Sequence, residues 1–382
     1  MKLDNKQVAI IGGGPGGLTL ARLLQLKGAN VKVYERDFNK EARVQGSPLD
    51  LHEESGLAAL REANLMEEFK KNFLPGADKK IITNERGEIV YSDHETNLVE
   101  NFGHEHFRPE IDRGPLRSLL LESLNPETVV WDSHFISMEK QNEGWLLQFK
   151  NGASFYADIV VAADGANSKI RPYVTNVKAI YSGITMLEIN IPDFKELAPD
   201  FDAMVDGGKI MAFGNSKCLL GGQKGDGSFG FYLSFKTDEN NAYSGLNKEE
   251  LLTFFKQEYF GWSAVWNELL ENAVPPFIPR PIYYMPLDQT WEAMPNITLL
   301  GDAAHVMPPF AGEGVNMAML DALELSKYLT EDTFTTVHEA ISFYEINMRK
   351  RAAEATQESL INGEHMHSND ALNKMLNLFS GH

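Results

Sequence analysis

At 382 residues the chain is longer than a single core ordinarily supports, so two packed domains, or one domain with an inserted lobe, are expected. Hydrophobic residues make up 43% and charged residues 23%, which excludes an intrinsically disordered chain, and no stretch is long and uncharged enough to span a bilayer. The formal net charge of -19 repels phosphate backbones and anionic lipid, so neither nucleic acid nor a membrane is an expected partner.

Met1 to Gln7 is polar and charged, and the apolar run Val8 to Ile11 that follows is too short for a signal-peptide core. A single cysteine, Cys218, forms no internal disulfide and reads as a small buried apolar residue. These features predict a cytoplasmic protein, and a monomer is the default expectation.

Gln7 to Ile11 reads as a strand, Gly12 to Gly17 as a turn, Leu18 to Leu26 as a helix and Val31 to Tyr34 as a second strand, which together make one βαβ unit. Its turn holds Gly12, Gly14 and Gly17, with Pro15 between them. Glycines at that spacing permit the tight turn and let a pyrophosphate approach the N–H groups at the helix N-terminus. Glu35 closes the second strand, at the ~20-residue distance where an acid accepts hydrogen bonds from an adenosine ribose. The unit alone does not separate a flavin from a nicotinamide dinucleotide.

Farther along, Leu57, Leu60, Leu65, Met66 and Phe69 fall near helical spacing and predict a helix over 57–69. Residues 80 to 91 read as a hairpin turning at Arg86-Gly87, and Pro115 to Leu124 as a helix with proline just inside its start. Asp158 to Ala163 is a buried strand that ends at Asp164-Gly165, with Ser168 and Arg171 just beyond. By itself that segment is equally a strand, a turn and a capped helix start.

From about 179 to 278 the chain turns β-rich, with candidate strands Ile184 to Ile191, Lys209 to Phe213, Lys217 to Gly221 and Ser228 to Phe235, then a helix from Lys248 to Tyr259. Alternation places Ile184, Met186, Glu188 and Asn190 on one face. An apolar strand over 297–300 follows and delivers Asp302 to its end, where an acid can bind the hydroxyls of a polyol. Gly312 and Gly314 allow a flat ring to lie against the backbone, and the helix beginning near Val315 points its positive end there, favouring negative charge on a reduced flavin. The rest of the chain reads as helical.

Taken in this order, the three motifs resemble those of the single-component FAD-dependent aromatic hydroxylases. Within that family the chain is most similar to tetracycline-inactivating monooxygenases, through Val8 to Leu24, Tyr34 to Asp37, Glu41 to Arg43, Leu49 to His52, Arg108 to Leu124 and Gly301 to Asn316. The resemblance implies an α/β fold: a Rossmann-like FAD-binding domain (1–72, 100–178 and 279–328), an interleaved antiparallel substrate domain (73–99 and 179–278) and a C-terminal helical region (329–382) bridging the two.

It further implies that Glu35, Arg36, Asp50, Arg113 and Asp302 contact FAD, that Gly314, Val315 and Asn316 lie near its ring, that Arg43 meets NADPH, and that Asp164 and Arg171 support both cofactors. Read from residue type alone, Arg43 and Arg113 are basic residues in polar loops. The implied chemistry is hydroxylation of a polycyclic phenol or enol with NADPH and O2 through a flavin hydroperoxide; no metal and no catalytic side chain are required. Glu188, Lys209, Gly230 and Tyr232 occupy the places where the tetracycline enzymes carry Gln, Arg, His and Gly for the drug, and Pro309, Phe310 and Gly312 fall on the substrate side. Glu313 stands where many relatives carry Gln and is expected to face solvent. His52 and His305 are expected to be structural, and Met366 and Met375 to pack in the core. An acceptor other than tetracycline, or an oxidase or dehydrogenase reaction, stays open, whereas a halogenase is disfavoured because Trp262 and Trp266 form no Trp-x-Trp element.

Overall fold

A computed structural model describes residues 2–41, 48–95, 102–104, 107–239 and 243–380. The chain opens with β1 (Gln7–Ile11), α1 (Pro15–Leu26) and β2 (Asn30–Tyr34). Next come β3 (Leu49–Asp50), α2 (Gly56–Glu62), α3 (Met66–Asn72) and the hairpin β4 (Lys80–Asn84) and β5 (Ile89–Ser92). Then follow β6 (Glu110–Ile111), α4 (Arg113–Glu122), β7 (Val129–Val130), the meander β8 (Phe135–Gln141), β9 (Gly144–Phe149) and β10 (Ser154–Ala157), and β11 (Ile159–Ala162) with the short α5 (Arg171–Val174).

The second half begins with the long β12 (Ile180–Ile191), followed by α6 (Phe194–Leu197), α7 (Pro199–Val205), β13 (Lys209–Gly214), β14 (Lys217–Gln223) and β15 (Phe229–Lys236). Helices α8 (Lys248–Glu258) and α9 (Asn267–Asn272) lead to β16 (Val274–Tyr284), β17 (Ile297–Leu299) and α10 (Asp302–His305). Helices α11 (Gly314–Thr330), α12 (Val337–Met366) and α13 (Ala371–Ser380) complete the chain.

A parallel sheet in the order β17-β11-β1-β2-β7 carries the nucleotide-binding half, and a seven-stranded sheet in the order β16-β12-β15-β14-β13-β4-β5 carries the other. The second sheet is antiparallel except where β13 runs parallel to β4, because the early hairpin inserts beside it. The two-stranded ribbon β3–β6 pairs Asp50 with Glu110.

The helix expected over 57–69 is two helices, because Asn64 adopts a left-handed φ of 59° between them. Helix α1 starts at Pro15 rather than Leu18. Proline suits the first helical position, and Gly16 and Gly17 leave no room for a side chain: a Cβ on Gly17 would stand 2.2 Å from the Gly12 oxygen. Strand β16 was not foreseen. Its prolines suit an edge strand paired only with β12, and it continues past the division expected at 278.

Each sheet has its own apolar core, and a smaller cluster containing Ile82, Phe213, Cys218, Met366 and Met375 fastens the C-terminal helices to the seven-stranded sheet. Both methionines are buried there, and burial pushes the Cys218 thiol up to about 12, so it packs as an apolar residue.

Candidate active site

The glycine loop leaves the end of β1 in a shape only glycine accepts. Gly12 has φ 110°, and a Cβ on it would stand 2.2 Å from the Ala163 oxygen. Glu35 is buried against the loop: its Oε2 accepts from Gly13 N at 2.5 Å and its Oε1 from Asp37 N at 2.9 Å. Arg36 beside it is exposed. At Gly14, by contrast, nothing lies within 4 Å of where a Cβ would be, and the positive end of α1 opens there into a cleft.

The Asp-Gly segment builds the next wall. Asp164 Oδ2 accepts from Lys169 N at 2.8 Å, and burial raises its carboxyl pKa. Arg171, buried, donates from Nε to the Ala303 oxygen at 2.6 Å and from Nη2 to the Asp302 oxygen at 2.7 Å. The guanidinium thereby clamps the loop that presents Asp302. The Asp302 carboxylate opens toward the cleft, with the charges of His305, Arg113 and Arg171 opposing the rise in pKa that the surrounding protein imposes.

From the other side, buried Asp321 holds the same loop. Its Oδ2 accepts from Gly301 N at 2.9 Å and meets His305 Nε2 at 2.6 Å, while Oδ1 takes Arg351 Nη2 at 3.1 Å. His305 is a positioning residue in this arrangement.

A second buried histidine ties the ribbon to the start of α11. His52 Nε2 lies 3.1 Å from Asp50 Oδ2 and its Nδ1 3.3 Å from Glu313 Oε1, with the imidazole 2% exposed. Glu313 therefore turns inward to a cation rather than to solvent, correcting the expectation for it. Burial alone would lower the His52 pKa, but the hydrogen bond to Asp50 and the charge of both carboxylates carry it up to about 9. The Asn316 amide is consumed locally: Oδ1 accepts from His52 N at 2.9 Å, and Nδ2 donates to the Asp50 oxygen at 3.0 Å. It braces the loop.

The cleft encloses about 750 Å³ and runs from the glycine loop to the seven-stranded sheet. At the loop end Gly14, Pro15, Gly17, Arg113 and Asp302 line it, with Asp50, Gly312, Gly314 and Val315 beside them. At the sheet end stand Met186, Glu188, Tyr232 and Pro309. A separate groove of about 790 Å³ between α3 and α4 shares Pro15 and Arg113 but none of the Gly-Asp loop.

Three expected substrate-side residues, Lys209, Gly230 and Phe310, do not line the cleft. Lys209 is ion-paired with buried Glu110, whose carboxyl burial pushes up to about 7 against that lysine's charge. Gly230 is buried within β15 opposite Gly222 and Asn190. Phe310 turns into the core against His367 and Gly363. Of the alternating face of β12, only Met186 and Glu188 reach the cleft; Ile184 approaches Gly363 on α12, and Asn190 accepts from Lys224 Nζ at 2.7 Å. Arg43 lies outside the described residues. Conversely, sequence reasoning missed Arg280 and Ile282 of β16 and Met307, all lining the cleft. Alternation along 274–284 was the only signal, and its prolines obscured it.

Gly14, Gly165 and Gly314 all line the cleft, and at each the space a Cβ would fill is open for 4 Å. With a helix N-terminus at one end and an acid at the other, the cradle fits a flavin dinucleotide, and fold and site together define an FAD-dependent flavoprotein. Residues 5–213 and 291–359 match the family described as FAD binding domain, and the chain belongs to that family of FAD-dependent monooxygenases.

It is similar to the monooxygenase asqM of Emericella nidulans, 29% identical over 90% of this chain and 88% of that one, and to the monooxygenase penA of Penicillium thymicola, 28% identical over 85% and 84%. Among solved structures, Klebsiella pneumoniae HpxO complexed with FAD and uric acid shares the fold at a TM-score of 0.79 and 20% identity, covering 99% of this chain and 93% of that one. The tetracycline destructase Tet(55) does so at 0.77 and 19%, covering 98% and 95%.

Proposed function

We propose that the protein hydroxylates a polycyclic phenol or enol, taking reducing equivalents from NADPH and oxygen from O2, with tetracyclines the first substrate class to test. One observation carries this reading: the cleft continues without a break from the cofactor cradle to an apolar wall of Met186, Ile282, Met307 and Pro309. In this reading α1 and the glycine loop hold the pyrophosphate, Glu35 the adenosine ribose, Asp302 and Arg113 the remainder of the chain, and Gly314 with Val315 the ring, while Arg43 meets NADPH. FAD, when bound, supplies hydride acceptance and oxygen activation. The chain itself binds and orients the acceptor and keeps water from the reacting face.

The protein is further proposed to be a cytoplasmic monomer, with the seven-stranded sheet as its substrate domain; among the described residues no helix is long and apolar enough to cross a membrane. An acceptor other than tetracycline is the second reading, favoured by Tyr232 in the cleft and by the pairing of Glu188 with Arg280. Aerobic incubation with NADPH and tetracycline, followed by mass spectrometry, tests both. A product heavier by one oxygen and dependent on NADPH supports the first; an unchanged drug in a protein whose flavin is reduced by NADPH turns the search to other fused-ring phenols.

A further inference from the structure

Arg280 and Glu188 are the only charged residues that the seven-stranded sheet presents to the cleft among the described residues, and the rest of that wall is apolar apart from Tyr232. They come from neighbouring strands, with Arg280 standing opposite Met186 and Ile278 opposite Glu188, so the pair crosses diagonally between β16 and β12. Glu188 Oε2 accepts from Arg280 Nε at 2.8 Å and lies 2.8 Å from Nη2 in the same ion pair. That contact uses one edge of the guanidinium and leaves Nη1 with no bonded partner among the described residues. Glu188 is the more buried partner, 23% exposed against 54%, so the carboxylate acts as the anchor and the cation projects into the cleft.

In a chain of net charge -19 an anion is repelled over most of the surface. The Arg280 guanidinium places a cation on that wall, and its free edge can donate charge-assisted hydrogen bonds to an anionic oxygen. An ionised oxygen conjugated to the accepting carbon is also what makes a phenol or enol electron-rich. We propose that Arg280, anchored by Glu188, recognises an ionised oxygen on the substrate, so that the cleft selects planar enolates, phenolates or carboxylates over neutral rings. This rests on reading the cleft as the substrate site of a monooxygenase.

The test uses the oxidised, FAD-loaded protein without NADPH, titrated with two matched pairs while the absorbance of bound flavin is followed: naphthoate against naphthamide, and hydroxynaphthoquinone, ionised at neutral pH, against its methyl ether. Each favoured anion is expected to bind roughly tenfold tighter than its neutral partner. A preference confined to one pair identifies carboxylate or enolate as the recognised source. Arg280→Ala, at full FAD content, should abolish the preference, and Arg280→Lys should keep part of it. Equal affinities within both pairs, no response to any of the four, or a preference that survives Arg280→Ala would overturn the assignment. Oxygenated product without anion preference would overturn the role of Arg280 and leave the reaction standing; anion preference with no oxygenation of any acceptor would do the reverse.

Discussion

Replacing Glu313 by Gln keeps the side chain's size and removes one of the two charges that flank His52. Folding raises the His52 pKa from 6.5 to about 9. At about 1.4 kcal/mol for each tenfold change in proton affinity, that rise contributes on the order of 3 kcal/mol to stability while His52 is protonated. The contribution is fully present below pH 6.5 and is lost as pH rises through about 9, because only the protonated imidazole gains from its partners. Withdrawing one carboxylate of two should remove roughly half of it, on the order of 1.5 kcal/mol. Urea unfolding of both proteins at fixed excess FAD should therefore show Glu313→Gln less stable near pH 6.5, with the gap closing above pH 9. A gap that stays the same across that range would mean that Glu313 acts through packing alone, and its absence at every pH would remove the contact.

Asp302→Ala should yield protein with little bound flavin while the fold persists, seen as a loss of visible absorbance with unchanged far-ultraviolet dichroism; full colour would remove Asp302 from the cofactor site. Asp321→Asn leaves His305 and Arg351 without their shared carboxylate, so a loss of about 3 kcal/mol in unfolding free energy and weaker FAD retention are expected. Arg43→Ala should retain FAD yet be reduced slowly by NADPH in stopped-flow, and unchanged reduction would exclude Arg43 from the reductant's path.

What the sequence made legible was local. The strand, glycine turn and helix of the first βαβ unit and the strand that delivers Asp302 follow from residues adjacent in the chain, although Ala163 sets the fit of Gly12 and Arg171 and Asp321 hold the Asp302 loop. A structural role for His52 and His305 was also expected, but the carboxylates around each were not. The break at Asn64 escaped because apolar spacing on its two sides is nearly continuous, and β16 escaped because prolines mask an edge strand.

By itself, the sequence determined the fold class and the flavin dinucleotide it is built for, because strand, turn and helix patterning is set largely by neighbours in the chain. Only the tertiary structure decided which charges meet. Glu313 reaches back to His52, Lys209 to Glu110, and Arg280 to Glu188. These partners lie far apart in sequence and are brought together by sheet register and by the ribbon beneath the cleft. A carboxylate's role is set by the cation opposite it, and no periodicity within a single segment encodes that distance.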